Sequence, residues 1–156
     1  MTLNEDFEDL LDALDEAEVE FILVGAHALA AHGVPRATGD IDILIRADKA
    51  NAQRVLQALL LFGAPVEQHN VSASDFEVEG DVYQMGLPPR RIDLLTQIDG
   101  VSFDEAWHRR VQMSYQGRRL PVLGLQDLIR NKRACGRPKD RADLDLLRAA
   151  GVDLDS

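Results

Sequence analysis

The sequence predicts an α+β fold, a mixed β-sheet flanked by helices, on three observations. Short apolar runs such as Phe21-Ile22-Leu23-Val24, Ile41 to Ile45, Val82 to Leu87 and Arg91 to Thr96 have the length and composition of buried strands. Between them lie longer segments whose apolar residues recur at helical spacing. Glycine and proline punctuate the junctions, with no repeat, low-complexity tract or linker between them, and 156 residues of 46% hydrophobic composition fit one domain spanning 1–156.

Taken in order, Phe7, Leu10, Leu11 and Leu14 mark one side of a first helix from Asn4, its N-cap, to about Glu18. Phe21 to Val24 is a buried strand ending at Gly25, and Ala26 to His32 is a short alanine-rich helix closed by Gly33. After the turn Pro35-Arg36-Ala37-Thr38-Gly39 comes the strand Asp40 to Ile45. Asp48 caps a helix running through Leu61 and stopped by Gly63-Ala64-Pro65. Val66 to Gly80 carries the weakest pattern, with Ser72 or Ser74 opening a short helical turn. The strands Val82 to Leu87 and Arg91 to Thr96 return on each other through Pro88-Pro89. Ser102 and Glu105 form a capping box before a helix with Trp107, and Val111 to Tyr115 pairs with Leu120 to Leu123 across Gln116-Gly117-Arg118. Two helices close the chain, one from about Leu125 to Cys135 ending at Gly136, the other opened by Pro138 and ending near Gly151.

Composition narrows the functional classes. Cys135 is the lone cysteine, so no internal disulfide forms, and no Cys/His spacing suits zinc; a reducing, cytoplasmic setting is expected. No apolar run approaches the roughly 18 residues of a membrane span, and the start at Met1-Thr2-Leu3-Asn4 turns acidic at once, so neither export nor membrane insertion is expected. The net charge of −10 is unevenly placed. The first 20 residues hold nine acids and no Lys or Arg, leaving 17 basic and 18 acidic residues for the rest. Such a first helix repels nucleic acid; it is either a solvated face or a docking surface for a basic partner.

The chemistry concentrates on three carboxylates. Side chains alternate along a strand, so Asp40 and Asp42 share one face, roughly 6.6–7 Å apart along the backbone, while Ile41, Ile43 and Ile45 face the core. Asp93 lies between Ile92 and Leu94 in another apolar strand, where a carboxylate is tolerated only if something neutralises it. Three such acids on adjacent strands suit two divalent ions about 3.5–4 Å apart, an arrangement that serves phosphoryl or nucleotidyl transfer. All-oxygen ligands favour Mg2+ or Mn2+. Asp-x-Asp alone also occurs in phosphatases, sugar-nucleotide enzymes and plain turns. A dehalogenase-type phosphatase wants a different continuation, which Ile43-Leu44-Ile45 does not supply. Upstream, Gly25 starts a helix whose N–H groups could face phosphate, or it simply makes a tight turn against the sheet.

Leu23-Val24-Gly25-Ala26, Gly39-Asp40-Ile41-Asp42-Ile43 and Ile92-Asp93-Leu94, in that order, resemble the signature of the nucleotidyltransferase superfamily over most of the chain. Gly25-Ala26-His27-Ala28, Arg36 to Asp42 and the stretch Leu128 to Asp143 are similar to the bacterial minimal nucleotidyltransferases grouped with AbiEii-type toxins. The resemblance implies a nucleotidyltransferase (DNA polymerase beta-like) fold. It implies that Asp40 and Asp42 bind both metals, and that Asp93 binds the catalytic metal and helps activate the acceptor hydroxyl. It also implies nucleotide contacts from Gly25, Ala26 and Lys132, the last being otherwise a solvated lysine on an amphipathic helix. Lys139, Asp140 and Asp143 match the closing motif, where the acid either orders basic residues or serves the helix N-terminus. Arg36 is placed to reach a phosphate from its loop. Ala26 departs from the family, which carries glycine or serine there; alanine removes a hydroxyl donor and narrows backbone approach. His27 and His32 on the short helix read as packing histidines.

The leading expectation is a Mg-dependent enzyme that transfers a nucleoside monophosphate from a nucleoside triphosphate to an acceptor hydroxyl, releasing pyrophosphate. The acceptor is a protein, a tRNA or a small molecule. The basic stretch Arg130 to Arg141 could follow a phosphate backbone, while the acidic first helix and the small size favour a protein or small acceptor. A toxin–antitoxin context, with a cognate partner protein or a homodimer, accompanies the resemblance. The alternative is a non-catalytic nucleotide-binding or antitoxin-like module of the same fold, favoured by Ala26 and opposed by three intact acids.

Overall fold

The computed structural model describes residues 3–155; Met1, Thr2 and Ser156, the ends of the expected 1–156 domain, lie outside them. The structure is α+β, with six helices, six strands and one 3-10 turn among the described residues. Its contacts divide the chain into two compact units, and each is built from discontinuous segments. The first holds residues 3–21 and Thr38–Gln97, the second residues 22–37 and 98–155.

In the first unit, α1 (Glu5–Glu16) starts where Asn4 accepts a hydrogen bond from the Phe7 N–H at 3.0 Å, and it buries Phe7, Leu10, Leu11 and Leu14. Strand β2 (Asp40–Ile45) leads to α3 (Lys49–Phe62), which is capped by Asp48 on the Asn51 N–H at 2.7 Å and stopped by Gly63 in the left-handed region. The indistinct stretch after it contains the 3-10 turn Ala73–Phe76, opened at Ser72 by a capping box with Asp75. Strands β3 (Val82–Met85) and β4 (Arg91–Leu95) form the expected antiparallel hairpin, and β4 also lies parallel to β2. α1 and the 3-10 turn pack against α3. Ile41, Ile43 and Ile45 are fully buried, the partition expected from alternation along β2.

The second unit repeats this strand logic. Its β1 (Phe21–Val24, of which Phe21 belongs to the first unit) lies parallel to β6 (Arg118–Val122), and β6 pairs antiparallel with β5 (Val111–Tyr115). Gln116 and Gly117 both take positive φ, 48° and 80°, giving a two-residue turn. Tyr115 therefore pairs directly with Arg118, and β6 begins two residues earlier than its apolar content suggests. Around these strands lie α2 (Gly25–Ala31), α4 (Phe103–His108), α5 (Leu125–Cys135) and α6 (Pro138–Ala149). α4 is capped by Ser102 and Glu105 as expected, and α5 packs on both α2 and α6.

Candidate metal centre

The parallel register of β2 and β4 builds the site. Asp40 stands opposite Arg91 and Asp42 opposite Asp93, so two pairs of same-face positions come together on neighbouring strands. One carboxylate oxygen from each of Asp40, Asp42 and Asp93 lies within 4.8 Å of the others. The three acids expected from sequence to form one cluster are therefore gathered in the first unit.

Their surroundings are unequal. Asp40 is held by two neighbours: the Thr38 hydroxyl donates to Oδ1 at 2.8 Å, and Arg91 Nη2 donates to Oδ2. Asp93 is 5% exposed; its Oδ2 accepts from the same Arg91 Nη2 at 3.1 Å, while its Oδ1 is buried and meets no donor. Arg91 Nε is likewise buried without an acceptor. A buried polar atom left without a partner costs roughly 1–3 kcal/mol, which is unusual on a well-packed strand unless the atom has another use. Asp93 and then Asp40 hold the Arg91 guanidinium above its ordinary pKa, so it is a permanent cation beside the acids. Hard oxygen ligands, the close cluster and the orphaned Asp93 Oδ1 together fit a divalent cation of the Mg2+ or Mn2+ type.

Sequence reasoning missed Arg91 and Thr38. Each carried a local signal: Arg91 is two residues from Asp93 on one strand, and Thr38 two residues before Asp40. What the sequence withheld was the register that sets Arg91 against Asp40.

The other expected site residues fall in the second unit. Gly25 opens α2 with φ 67°, a conformation for which glycine is suited, and Ala26 beside it is buried. Arg36 donates from Nε and Nη2 to the two oxygens of Asp143, at 2.6 and 3.1 Å, and from Nη1 to the Ala37 carbonyl. Lys132, expected on a nucleotide phosphate or else in solvent, is not solvated: its side chain is 5% exposed, and Nζ sits 2.9 Å from Asp143 and 3.5 Å from Asp140. Arg137 completes the chain of charges, donating from Nε, Nη2 and its backbone N–H to Asp140. Burial pushes the Asp140 carboxyl upward, but the Arg137 hydrogen bonds and the Lys132 charge outweigh it and leave the pKa below the ordinary value. Asp143 behaves alike under burial, then Arg36 and Lys132. Asp140 and Asp143 thus order basic residues, and Asp140 also serves the α6 N-terminus through the Arg137 N–H, so both roles their motif suggested are filled. His32 contacts the Leu123 carbonyl at 2.7 Å and His27 is buried, as packing histidines would be.

Among the described residues, no helix is long and apolar enough to cross a membrane. Among solved structures, a Thermotoga maritima protein provisionally described as a nucleotidyltransferase aligns with a TM-score of 0.58 at 16% identity, covering 89% of this chain and 88% of that one. The aminoglycoside nucleotidyltransferase ANT(2″)-Ia, in complex with adenylyl-2″-tobramycin, aligns with a TM-score of 0.53 at 16% identity over 94% of this chain and 87% of that one. Likeness at that identity shows a shared fold, that of the nucleotidyltransferases. No curated protein matches the chain. The model of the family described as "Nucleotidyltransferase of unknown function (DUF6036)" matches residues 1–152, which include both carboxylate-bearing strands, and this chain belongs to that family.

Proposed function

We propose that the protein is a Mg2+- or Mn2+-dependent enzyme that transfers a nucleoside monophosphate from a nucleoside triphosphate to an acceptor hydroxyl with release of pyrophosphate. The observation that carries this reading is the convergence of Asp40, Asp42 and Asp93, from two parallel strands, within 4.8 Å. Divalent ions bound there would acidify the acceptor hydroxyl and neutralise charge on the triphosphate and leaving pyrophosphate. Asp40 and Asp42 present their carboxylates from the entry of β2, where the strand is half-exposed, and Asp93 supplies the third from a buried position on β4. Thr38 orients Asp40 through its hydroxyl.

For the triphosphate, the candidates are the Gly25 and Ala26 backbone N–H groups and the partly exposed Arg36 side chain. Lys132 serves better as a brace between α5 and α6, since its ammonium is enclosed by two carboxylates. An acidic α1 favours a protein or small-molecule acceptor over tRNA. The free Cys135 suits a reducing, cytoplasmic setting, and a toxin–antitoxin role with a cognate partner or a second copy belongs to the same proposal. A second reading, a non-catalytic nucleotide-binding or antitoxin-like module, draws on Ala26, which offers no hydroxyl at its buried position.

Incubating the purified protein with Mg2+ or Mn2+, each α-labelled nucleoside triphosphate and a cell lysate tests both. Label transfer that needs metal and disappears in Asp40→Ala and Asp93→Ala is the expected result, and the size of the labelled product identifies the acceptor class. Absence of transfer gives the molecule to the second reading, as a nucleotide-binding module where calorimetry shows nucleotide binding and as an antitoxin-like one where it does not.

A further inference from the structure

We infer that Arg91 is a built-in stand-in for the metal: its guanidinium holds Asp40 and Asp93 together in the metal-free protein and withdraws when a divalent ion binds the same carboxylates. The inference rests on the metal-centre reading and adds to it a residue and an exchange.

A single nitrogen, Nη2, bridges Asp40 Oδ2 and Asp93 Oδ2, so the guanidinium sits on two of the three carboxylates that form the cluster. A divalent ion placed among the same carboxylates repels the guanidinium at close range and weakens its hold on them, so the two cations compete. The arrangement is also incomplete on both sides, since Arg91 Nε and Asp93 Oδ1 are buried and unsatisfied. A guanidinium built for permanent pairing with carboxylates would normally engage two donors in a fork, as Arg36 does with Asp143. Here one nitrogen serves two acids, the way a point charge would. Arg91 has a route out, because a third of its side chain is exposed and it leads into a strand rather than sitting inside the core. Without it, three carboxylates converging within 4.8 Å would repel one another in the metal-free state. Arg91 is thus a positioning residue for the metal ligands, and it sets a threshold metal concentration below which the site stays closed.

The test uses the full chain and two readouts that need no catalysis. In the first, Mg2+ is titrated into the wild-type protein while the arginine Nε–H resonances are followed, the Arg91 signal being identified by its loss in Arg91→Gln. The Arg91 resonance is expected to shift in step with filling of the metal site. In the second, Mn2+ binding is measured by calorimetry in wild type, Arg91→Gln and Arg91→Lys. If the open form is about one molecule in ten, Arg91→Gln binds Mn2+ roughly tenfold more tightly, and Arg91→Lys, which keeps a charge but lacks the reach of the guanidinium, less so. Metal binding to wild type with an unmoved Arg91 resonance overturns the inference even if Arg91→Gln binds more tightly, because removal of a nearby charge alone would do that. Equal or weaker Mn2+ binding by Arg91→Gln overturns it too, and leaves the metal centre standing. Should Arg91→Gln not fold without metal, its recovery on adding Mn2+ supports the exchange, and failure to recover, with Arg91→Lys binding no more tightly than wild type, rejects it. If no protein in the series binds Mn2+, the metal centre itself is lost and the inference with it.

Discussion

Replacing Asp93 with asparagine keeps the shape of a buried side chain and removes the charge that would face a cation. Supporting residues around a metal are worth about ten- to a hundredfold in affinity, so loss of a direct ligand should weaken Mn2+ binding by at least roughly a hundredfold. Calorimetry on Asp93→Asn measures it, and unchanged affinity would take Asp93 out of the site. Lys132 supports a different expectation. Cutting it back to methionine leaves Asp140 and Asp143, both buried, with only Arg137 and Arg36 to balance them. Breaking a buried ion pair from one side costs about 3 kcal/mol, readable as a lower urea midpoint. The sign of its pH dependence follows from the two carboxylates. Their folded pKa values lie below the ordinary 3.8, so the stabilisation is fully present above the unfolded value and is lost as pH falls through the folded ones. The gap between wild type and Lys132→Met should accordingly be constant from neutrality down to about pH 5 and shrink below about pH 4.

Strands and caps explain why some parts of this structure could be read in advance and others could not. The capped helices were legible because Asn4, Asp48 and the Ser102–Glu105 pair act within three residues of the backbone groups they satisfy. Asp40, Asp42 and Asp93 were legible as a set because acids on apolar strands are conspicuous. Arg91 was not, because its partner Asp40 lies 51 positions away and only the β2–β4 register brings them together. The stretch before β3 was opaque for a similar reason. Its turn is fastened by Thr96, whose hydroxyl accepts from the Gly80 and Asp81 N–H groups at 2.9 and 3.0 Å and donates to the Asp81 carbonyl at 2.7 Å. Thr96→Val strips all three bonds while keeping the volume, and should cost about 2 kcal/mol in urea unfolding, with the Gly80 and Asp81 amides exchanging faster. If those amides keep their protection, the clasp is not what secures the turn.

Charge is distributed over the molecule as unevenly as along the chain. Residues 2–21 and 38–97 contain five of the 17 basic residues and 18 of the 27 acidic ones, so the unit that carries the three site carboxylates carries the whole negative excess, and the remaining residues are net positive. Self-repulsion of this kind is screened within a Debye length of about 8–10 Å near physiological salt. The melting temperature should therefore rise as NaCl increases from low ionic strength. Millimolar Mg2+ should raise it further in wild type and much less in Asp93→Asn, a difference that separates site binding from general screening. Connectivity has its own outcome during synthesis. The ribosome delivers β1, an all-apolar strand, near the start of the chain, yet its parallel partner β6 ends only at Val122. At translation rates of about 5–20 residues per second, that edge waits roughly 5–20 s for its mate. Over that interval the nascent chain displays one open edge of a hydrophobic strand, which makes the wait for β6 the moment when this protein most needs a chaperone.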